Sequence, residues 1–250
     1  MKQSEAAGGT KITTKARRQK EILNLQGADL ENKQLPGAPG SEKTPPRAGL
    51  GSHIHAWVLA HLGVRYERMV ADRKRALFAG LGGNVLEIGP GTGPNLVYYP
   101  SGIRWLGVEP NPYMVPYLKA SAVRAGLPVD LRSGTAERLP AEDSSMDAVV
   151  STLVLCSVSD PEGVLREIRR VLKPGGRFLF LEHVAAPPGT RLRRVQTAIR
   201  PLWKIIGDGC HPDRETGVTI ERAGFAQVRY ENFRLPLGPV ATQIAGFAVK

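Results

Sequence analysis

From Ile54 onward the apolar positions fall into a regular order. Ile54 to Phe78 places Trp57, Val58, Leu62, Met69, Leu77 and Phe78 at intervals that predict a helix. Gly80, Gly82 and Gly83 break that pattern, and Asn84-Val85-Leu86-Glu87-Ile88 reads as a short buried strand. A second strand is expected over Arg104–Glu109, then a helix through Met114, Leu118 and Val123, and a third strand near Val129–Leu131. Asp147 to Leu155 is almost continuously apolar, which predicts a strand covered on both faces. Asp160-Pro161-Glu162 has the chemistry of a helix start: a capping acid, a proline in the first turn and a negative charge against the helix dipole. Val164, Leu165, Ile168, Val171 and Leu172 form the inner face of this helix, and Lys173-Pro174-Gly175-Gly176 ends it. Arg177–Glu182 is the fifth strand, Arg191–Ile206 a basic amphipathic segment, and the last strands fall around Phe225–Phe233 and Thr242–Val249.

Alternating strands and helices at this spacing predict an α/β fold with right-handed crossovers, that is, a doubly wound, mostly parallel sheet. The last two strands have no long helix between them, which predicts an antiparallel hairpin closing one edge, so that an antiparallel strand stands at that edge. Residues 1–50 lack a sustained period and mix Gly8-Gly9, a basic stretch, Gly37-Ala38-Pro39-Gly40 and Pro45-Pro46; they read as a disordered polar and basic tail. Residues 51–250 form the domain, with residues 51–80 as an N-terminal helical segment and residues 185–215 as a lid.

Composition narrows the function classes. No apolar run reaches the ~18–20 residues that span a bilayer, and no apolar core of a secretory signal is present. Cys156 and Cys210 are too few for a disulfide framework and form no Cys-x-x-Cys pair, which suggests a reducing, cytoplasmic setting. The net charge of +11 raises nucleic acid as a partner. The basic residues are spread along the chain, however, and their two denser clusters, Lys11–Lys20 and Arg191–Lys204, hold one aromatic residue between them, Trp203. A solvated basic surface is therefore expected rather than a nucleic-acid platform.

The chemistry centres on Glu87-x-Gly89-x-Gly91-x-Gly93 at the end of the first strand. Ligands in open α/β sheets bind at the carboxyl ends of strands, where strand order reverses. Glycine lets the backbone take unusual angles and approach a ligand closely. The dinucleotide pattern would need glycine at position 94, which is Pro94, and no Gly-Lys-Ser/Thr follows for a phosphate loop. Glu109 ends the second strand, where an acid accepts hydrogen bonds from ribose hydroxyls. Gly134-Thr135-Ala136-Glu137 follows the third strand, where an adenine edge would lie, and Thr152 and Leu153 leave the fourth.

These stretches resemble class I S-adenosylmethionine-dependent methyltransferases, and within them the methyltransferase-like alkyl thiol S-methyltransferases. The likeness covers roughly residues 54–250. It is carried by Leu86–Asn95, Pro110-Asn111-Pro112, Ser151–Val158, Arg170–Gly176, Glu182-His183-Val184-Ala185, Gly207-Asp208-Gly209-Cys210 and Arg214-Glu215-Thr216. Two departures stand out. Membrane-acting members carry an apolar N-terminal anchor where this chain has a polar tail, and Pro90 stands where a cysteine is often found. The resemblance implies a Rossmann-like fold and S-adenosyl-L-methionine as cofactor. The cofactor would be held by Glu87, Gly89, Gly91, Gly93, Glu109, Pro110, Ala136, Glu137, Thr152 and Leu153.

Methyl transfer from a sulfonium is an in-line displacement in which the cofactor supplies the reactive group, so the protein must chiefly orient the partners. His183, Asp208 and His211 are the candidate acid-base or acceptor-orienting residues. Cys156 and Cys210 are expected to serve packing or loop structure, since this chemistry requires no protein nucleophile. Arg191–Ile206 is expected to cover the acceptor pocket with Leu192, Val195, Ile199, Leu202 and Trp203, its arginines facing water; peripheral membrane contact is the rival role. The acceptor is expected to be a small molecule, preferably an alkyl thiol, with a quinone, phenol or lipid as the alternative enzyme reading and a catalytically inactive cofactor-binding regulator as the alternative outside enzymes.

Overall fold

The computed structural model describes His53, residues 63–207 and residues 209–250. The expected tail over residues 1–50, the first part of the Ile54–Phe78 helix and Asp208 lie outside the described residues. In chain order the elements are α1 (Val64–Phe78), β1 (Asn84–Ile88), β2 (Arg104–Glu109), α2 (Val115–Ala125), β3 (Val129–Ser133), β4 (Met146–Thr152), α3 (Pro161–Val171), β5 (Leu172–His183), α4 (Arg191–Ile206), α5 (Thr216–Arg222), β6 (Gln227–Arg234) and β7 (Thr242–Val249). Short 3₁₀ turns at Leu96–Tyr98, Pro112–Met114 and Gly238–Val240 complete the framework.

The expected start of α3 holds in detail. Asp160 Oδ1 accepts from Gly163 N at 2.8 Å, Pro161 opens the helix, and Val164, Leu165, Ile168 and Val171 are its buried stripe. The helix ends at Val171, and the Lys173–Gly176 segment joins β5 rather than remaining a loop. Its irregular start is held by the last residue of the chain: Gly175 N donates to Lys250 O at 3.1 Å and Lys250 N to Gly176 O at 3.0 Å.

The sheet order is β3-β2-β1-β4-β5-β7-β6. The pairs β1–β2, β2–β3, β1–β4 and β4–β5 are parallel. β7 runs antiparallel to both β5 and β6. The last two strands thus form the expected antiparallel hairpin closing one edge, with β7 against β5 and β6 outermost. The order turns back between β1 and β4, which opens a crevice at their carboxyl ends.

One face of the sheet packs Leu86, Val149, Phe178 and Phe180 against the inner stripe of α3 and Ile220 of α5. The other packs Val85, Val150 and Leu179 with Phe78 of α1, Leu118 of α2 and Leu96. Each fully buried side chain of this kind contributes roughly 1.5–3 kcal/mol, so strands covered on both sides form a rigid floor for the crevice. Among the described residues no helix is long and apolar enough to cross a membrane.

Gly107 in β2 has a steric reason. The indole of its neighbour Trp105 lies over it, and a β-carbon at position 107 would fall well inside contact distance of that ring. Substitution Gly107→Val is expected to cost about 1–3 kcal/mol by overpacking and to alter the fluorescence of Trp105. Urea unfolding checks this; an unchanged midpoint and spectrum would show that the ring is not locked over the glycine.

Candidate active site

The turn after β1 is built from left-handed backbone. Gly89, Gly91 and Gly93 have φ of +56°, +57° and +78°, which side-chain-bearing residues rarely adopt. The three glycines differ in their surroundings. A β-carbon at Gly89 would lie 2.8 Å from Val154 Cγ2, and one at Gly93 would lie 2.9 Å from Leu96 Cδ1 and 3.0 Å from Ser121 Cβ. At Gly91 the nearest atom would be Gly89 O at 4.0 Å, so position 91 faces open space on the crevice side. Glu109, at the tip of β2, accepts from Gly91 N and from Asn111 N, both at 2.9 Å. The acid expected to meet a ribose thus also fixes the glycine turn. Pro110 beside it is exposed.

Glu87 is buried beneath the turn. Its carboxylate accepts from Asn95 Nδ2 at 2.7 Å, Tyr99 Oη at 2.8 Å and Trp105 Nε1 at 3.0 Å. Burial raises its pKa, and the three donors oppose that rise. Glu87, expected to face the cofactor, is held in the structure by these three protein donors. That network fixes the amide of Asn95, whose Nδ2 also donates to Thr152 Oγ1 at 2.9 Å. Asn95 Oδ1 is left buried without a partner, an acceptor suited to an ammonium group. Asn95 was not among the expected binding residues, although it closes the Leu86–Asn95 stretch that carries the family resemblance.

At the tip of β4, Leu153 carries a φ of +59°, an uncommon conformation for a non-glycine residue and costing of order 1 kcal/mol or more. Its N–H donates to Leu181 O at 2.9 Å. The loop beyond it is shaped by Glu182, fully buried, which accepts from Ser151 Oγ at 2.7 Å, Val154 N at 3.1 Å and Leu155 N at 3.2 Å. Ala136 is buried, and Glu137 accepts from Ser159 Oγ at 3.0 Å, which ties the loop after β3 to the loop after β4.

His183, the last residue of β5, is buried, with Nε2 2.9 Å from Cys210 Sγ. Cys156, Cys210 and His183 are all buried and their side-chain donor atoms lie within 4.8 Å of one another. Trp203 Nε1 donates to Cys210 Sγ at 3.2 Å. These contacts lower the Cys210 thiol, first through Cys156 and then through His183 and Trp203, while the same pairing and burial push Cys156 up. The two cysteines expected to be packing residues therefore meet a sequence-predicted histidine in one polar cluster. Nothing in their spacing along the chain announced it. His211 is placed differently: its N–H donates to Cys156 O at 2.9 Å, and its Nδ1 accepts from Arg214 at 3.0 Å. Burial, then the Arg214 charge, lowers its pKa and favours the neutral ring.

The inward stripe of α4 also differs from expectation. Val195 and Leu202 point outward, 47% and 62% exposed, and Ile205 and Ile206 are exposed with them. The inward residue is Gln196, which accepts from Ala186 N at 2.7 Å and donates to Pro239 O at 2.8 Å and Val184 O at 3.3 Å. Leu192, Ile199 and Trp203 share its side at helical spacing and are half-buried. Backbone acceptors and donors after β5 needed a partner, so a polar residue took the centre of that face.

Residues 86–180 match a protein family described as Methyltransferase domain. The chain is 44% identical over 210 residues to the mouse thiol S-methyltransferase TMT1B, covering 78% of this chain and 85% of that protein. It is 38% identical over 207 residues to the human thiol S-methyltransferase TMT1A, with the same coverage. Among solved structures, an S-adenosylmethionine-dependent methyltransferase from Thermotoga maritima, described as a possible histamine N-methyltransferase, superposes with a TM-score of 0.54 at 24% identity, over 78% of this chain and 99% of its own. Strand order, the left-handed glycine turn and this likeness define a class I methyltransferase with S-adenosylmethionine as its cofactor. At the identity and coverage seen with TMT1A and TMT1B, the chain belongs to their family.

The raised pKa of Glu87 has a measurable consequence. Between the ordinary carboxylate range and its raised value, the folded protein holds the proton more tightly than the unfolded chain, so this contribution to stability is present at low pH and lost as pH rises. Relative to Glu87→Gln, wild-type stability should therefore decline as pH is raised from about 4.5. Urea titrations at a series of pH values test this, and a gap independent of pH would contradict it.

Proposed function

We propose that the protein transfers the S-adenosylmethionine methyl group to small apolar thiols, with the crevice at the carboxyl ends of β1, β2 and β4 as the cofactor site. The observation that carries the cofactor part is the open space at Gly91 beside the unpartnered, buried Asn95 Oδ1. The thiol part is supported by the activity named for the relatives TMT1A and TMT1B.

The cofactor supplies an electrophilic methyl group on a sulfonium. Glycine-turn backbone approaches the adenosyl portion, Glu109 accepts from the ribose hydroxyls, and Ala136 and Glu137 border the adenine. Asn95, held by Glu87 and Thr152, accepts from the ammonium group, so Glu87 acts on the cofactor through Asn95. Leu153 and the loop that Glu182 holds border the methyl end. The acceptor enters from the side of His183 and the loop after α4, where Asp208 and His211 are the remaining candidates for orienting it. α4 forms part of the cover over this side, with Trp203 and Ile199 facing in. Orientation of this kind contributes up to ~7–11 kcal/mol in favourable cases, and a thiol of pKa ~8.5 is already partly ionised near neutrality.

Calorimetry should show S-adenosylmethionine binding that Gly91→Arg abolishes and Asn95→Ala weakens about tenfold, as expected for one lost charge-assisted hydrogen bond. Incubation with a panel of thiols, phenols and amines should give methyl thioethers as the main products. Unchanged affinity in both variants would remove the cofactor site, and methyl ethers or methylamines without thioethers would remove the thiol acceptor.

A further inference from the structure

Cys156, His183 and Cys210 come from three separate parts of the chain: the loop after β4, the end of β5 and the loop after α4. The fold carries them to one point behind the carboxyl ends of the parallel strands. We propose that Cys156 Sγ, His183 Nε2 and Cys210 Sγ bind a zinc ion whose fourth position takes the sulfur of the acceptor thiol.

The donor set is the first argument. Two cysteine sulfurs and one imidazole nitrogen are a zinc-selective combination, and three protein ligands leave one tetrahedral position open, the arrangement of catalytic rather than structural sites. The geometry is the second. All three donor atoms lie within 4.8 Å of one another and all three residues are buried. Zinc bonds of about 2.0–2.3 Å require donor separations of roughly 3.5–3.8 Å, so the ion fits if the 2.9 Å contact between His183 and Cys210 opens by roughly 0.6–0.9 Å and any separation near the 4.8 Å limit closes by about 1 Å.

The surroundings are the third argument. Trp203 Nε1 donates to Cys210 Sγ, the kind of supporting bond that orients a metal ligand. The backbone is tightly set on both cysteine loops. His211 N donates to Cys156 O, Cys210 N donates to Gly207 O at 3.1 Å, and Gly209 takes a φ of +88°. A β-carbon at Gly207 would lie 3.0 Å from Cys210 Cβ, so a side chain there would crowd Cys210. The Arg214 guanidinium donates to Leu155 O and Val158 O, holding the Cys156 loop. It also sets a positive charge beside a site that would carry two protein thiolates and a third from the acceptor.

The cluster adjoins the cofactor turn. Cys156 Sγ lies 3.5 Å from Leu153 O, and Val154 between them packs against Gly89. On binding, the acceptor S–H bond breaks, a zinc–sulfur bond forms and the proton leaves to water. The bound sulfur then gives a lone pair to the methyl carbon while the carbon–sulfur bond of the sulfonium breaks onto the departing sulfur. The products are a neutral methyl thioether and adenosylhomocysteine. The role of the fourth position rests on the thiol reading; the occupancy of the site does not.

The full chain, purified from zinc-supplemented cells under reducing conditions without chelator, should contain about one zinc per chain by elemental mass spectrometry. Cys210→Ser and His183→Ala should lower that content about tenfold or more while binding of S-adenosylmethionine by calorimetry persists. Replacing zinc by cobalt(II) should give thiolate-to-cobalt charge-transfer bands in the near ultraviolet, and the visible cobalt bands should shift when an alkyl thiol is added. Wild-type protein that binds S-adenosylmethionine but neither zinc nor cobalt would overturn the site. So would active protein in which peptide mass mapping finds Cys156 joined to Cys210. Thiol methylation by metal-free protein would defeat the zinc role alone, whereas a zinc-loaded protein that methylates no thiol would defeat the acceptor reading alone.

Discussion

A carboxylate buried at the end of β1 cannot stay there without donors around it, and much of this site follows from meeting that demand at Glu87. A desolvated acid is expensive unless hydrogen-bonded. Here the donors come from three places: Asn95 two residues past the glycine turn, Tyr99 at the end of the 3₁₀ segment beyond it, and Trp105 near the start of β2. Satisfying the acid therefore ties the turn, its following segment and the neighbouring strand into one unit. The arrangement propagates: Trp105 can reach Glu87 because Gly107 leaves space for its ring, and Asn95 has a fixed amide because Glu87 accepts from it.

Two other acids work in the same manner at different depths. Glu109 joins the β2 tip to Gly91, and Glu182 joins the end of β5 to the loop after β4. Each is a side chain standing in for backbone acceptors where parallel strands end and ladder hydrogen bonds run out. The rim of the crevice is thus preorganised from below. The strain at Leu153 is carried at the point where this support is densest.

The strand pattern was legible because its cause is local. Asp147–Leu155 is an apolar run, Asp160-Pro161-Glu162 is a cap, and β7 runs over the residues the alternation indicated. The glycine turn was legible because left-handed backbone demands glycine at particular spacings. What could not be read locally was long-range pairing. Which strand of the closing hairpin is outermost, β6 and not β7, is a matter of which strands meet and not of which residues form them. The role of Gln196 depends on backbone groups of residues 184, 186 and 239, and the Cys156–His183–Cys210 cluster spans 54 positions of sequence, from 156 to 210. Periodicity also mistook the faces of α4, because an amphipathic pattern marks a stripe of apolar residues without saying which partner it meets. Val195 and Leu202 belong to the outward side for that reason.

The place of β7 has a bearing on how the chain matures. β5 and β6 share no backbone ladder, so the strand that links them, β7, must be made before the sheet can close. Until then β5, with Phe178, Leu179, Phe180 and Leu181 along it, offers an unzipped margin that could recruit a foreign strand. During translation the sheet therefore closes only once residues 242–250 have been made and Lys250 can pair with Gly175 and Gly176.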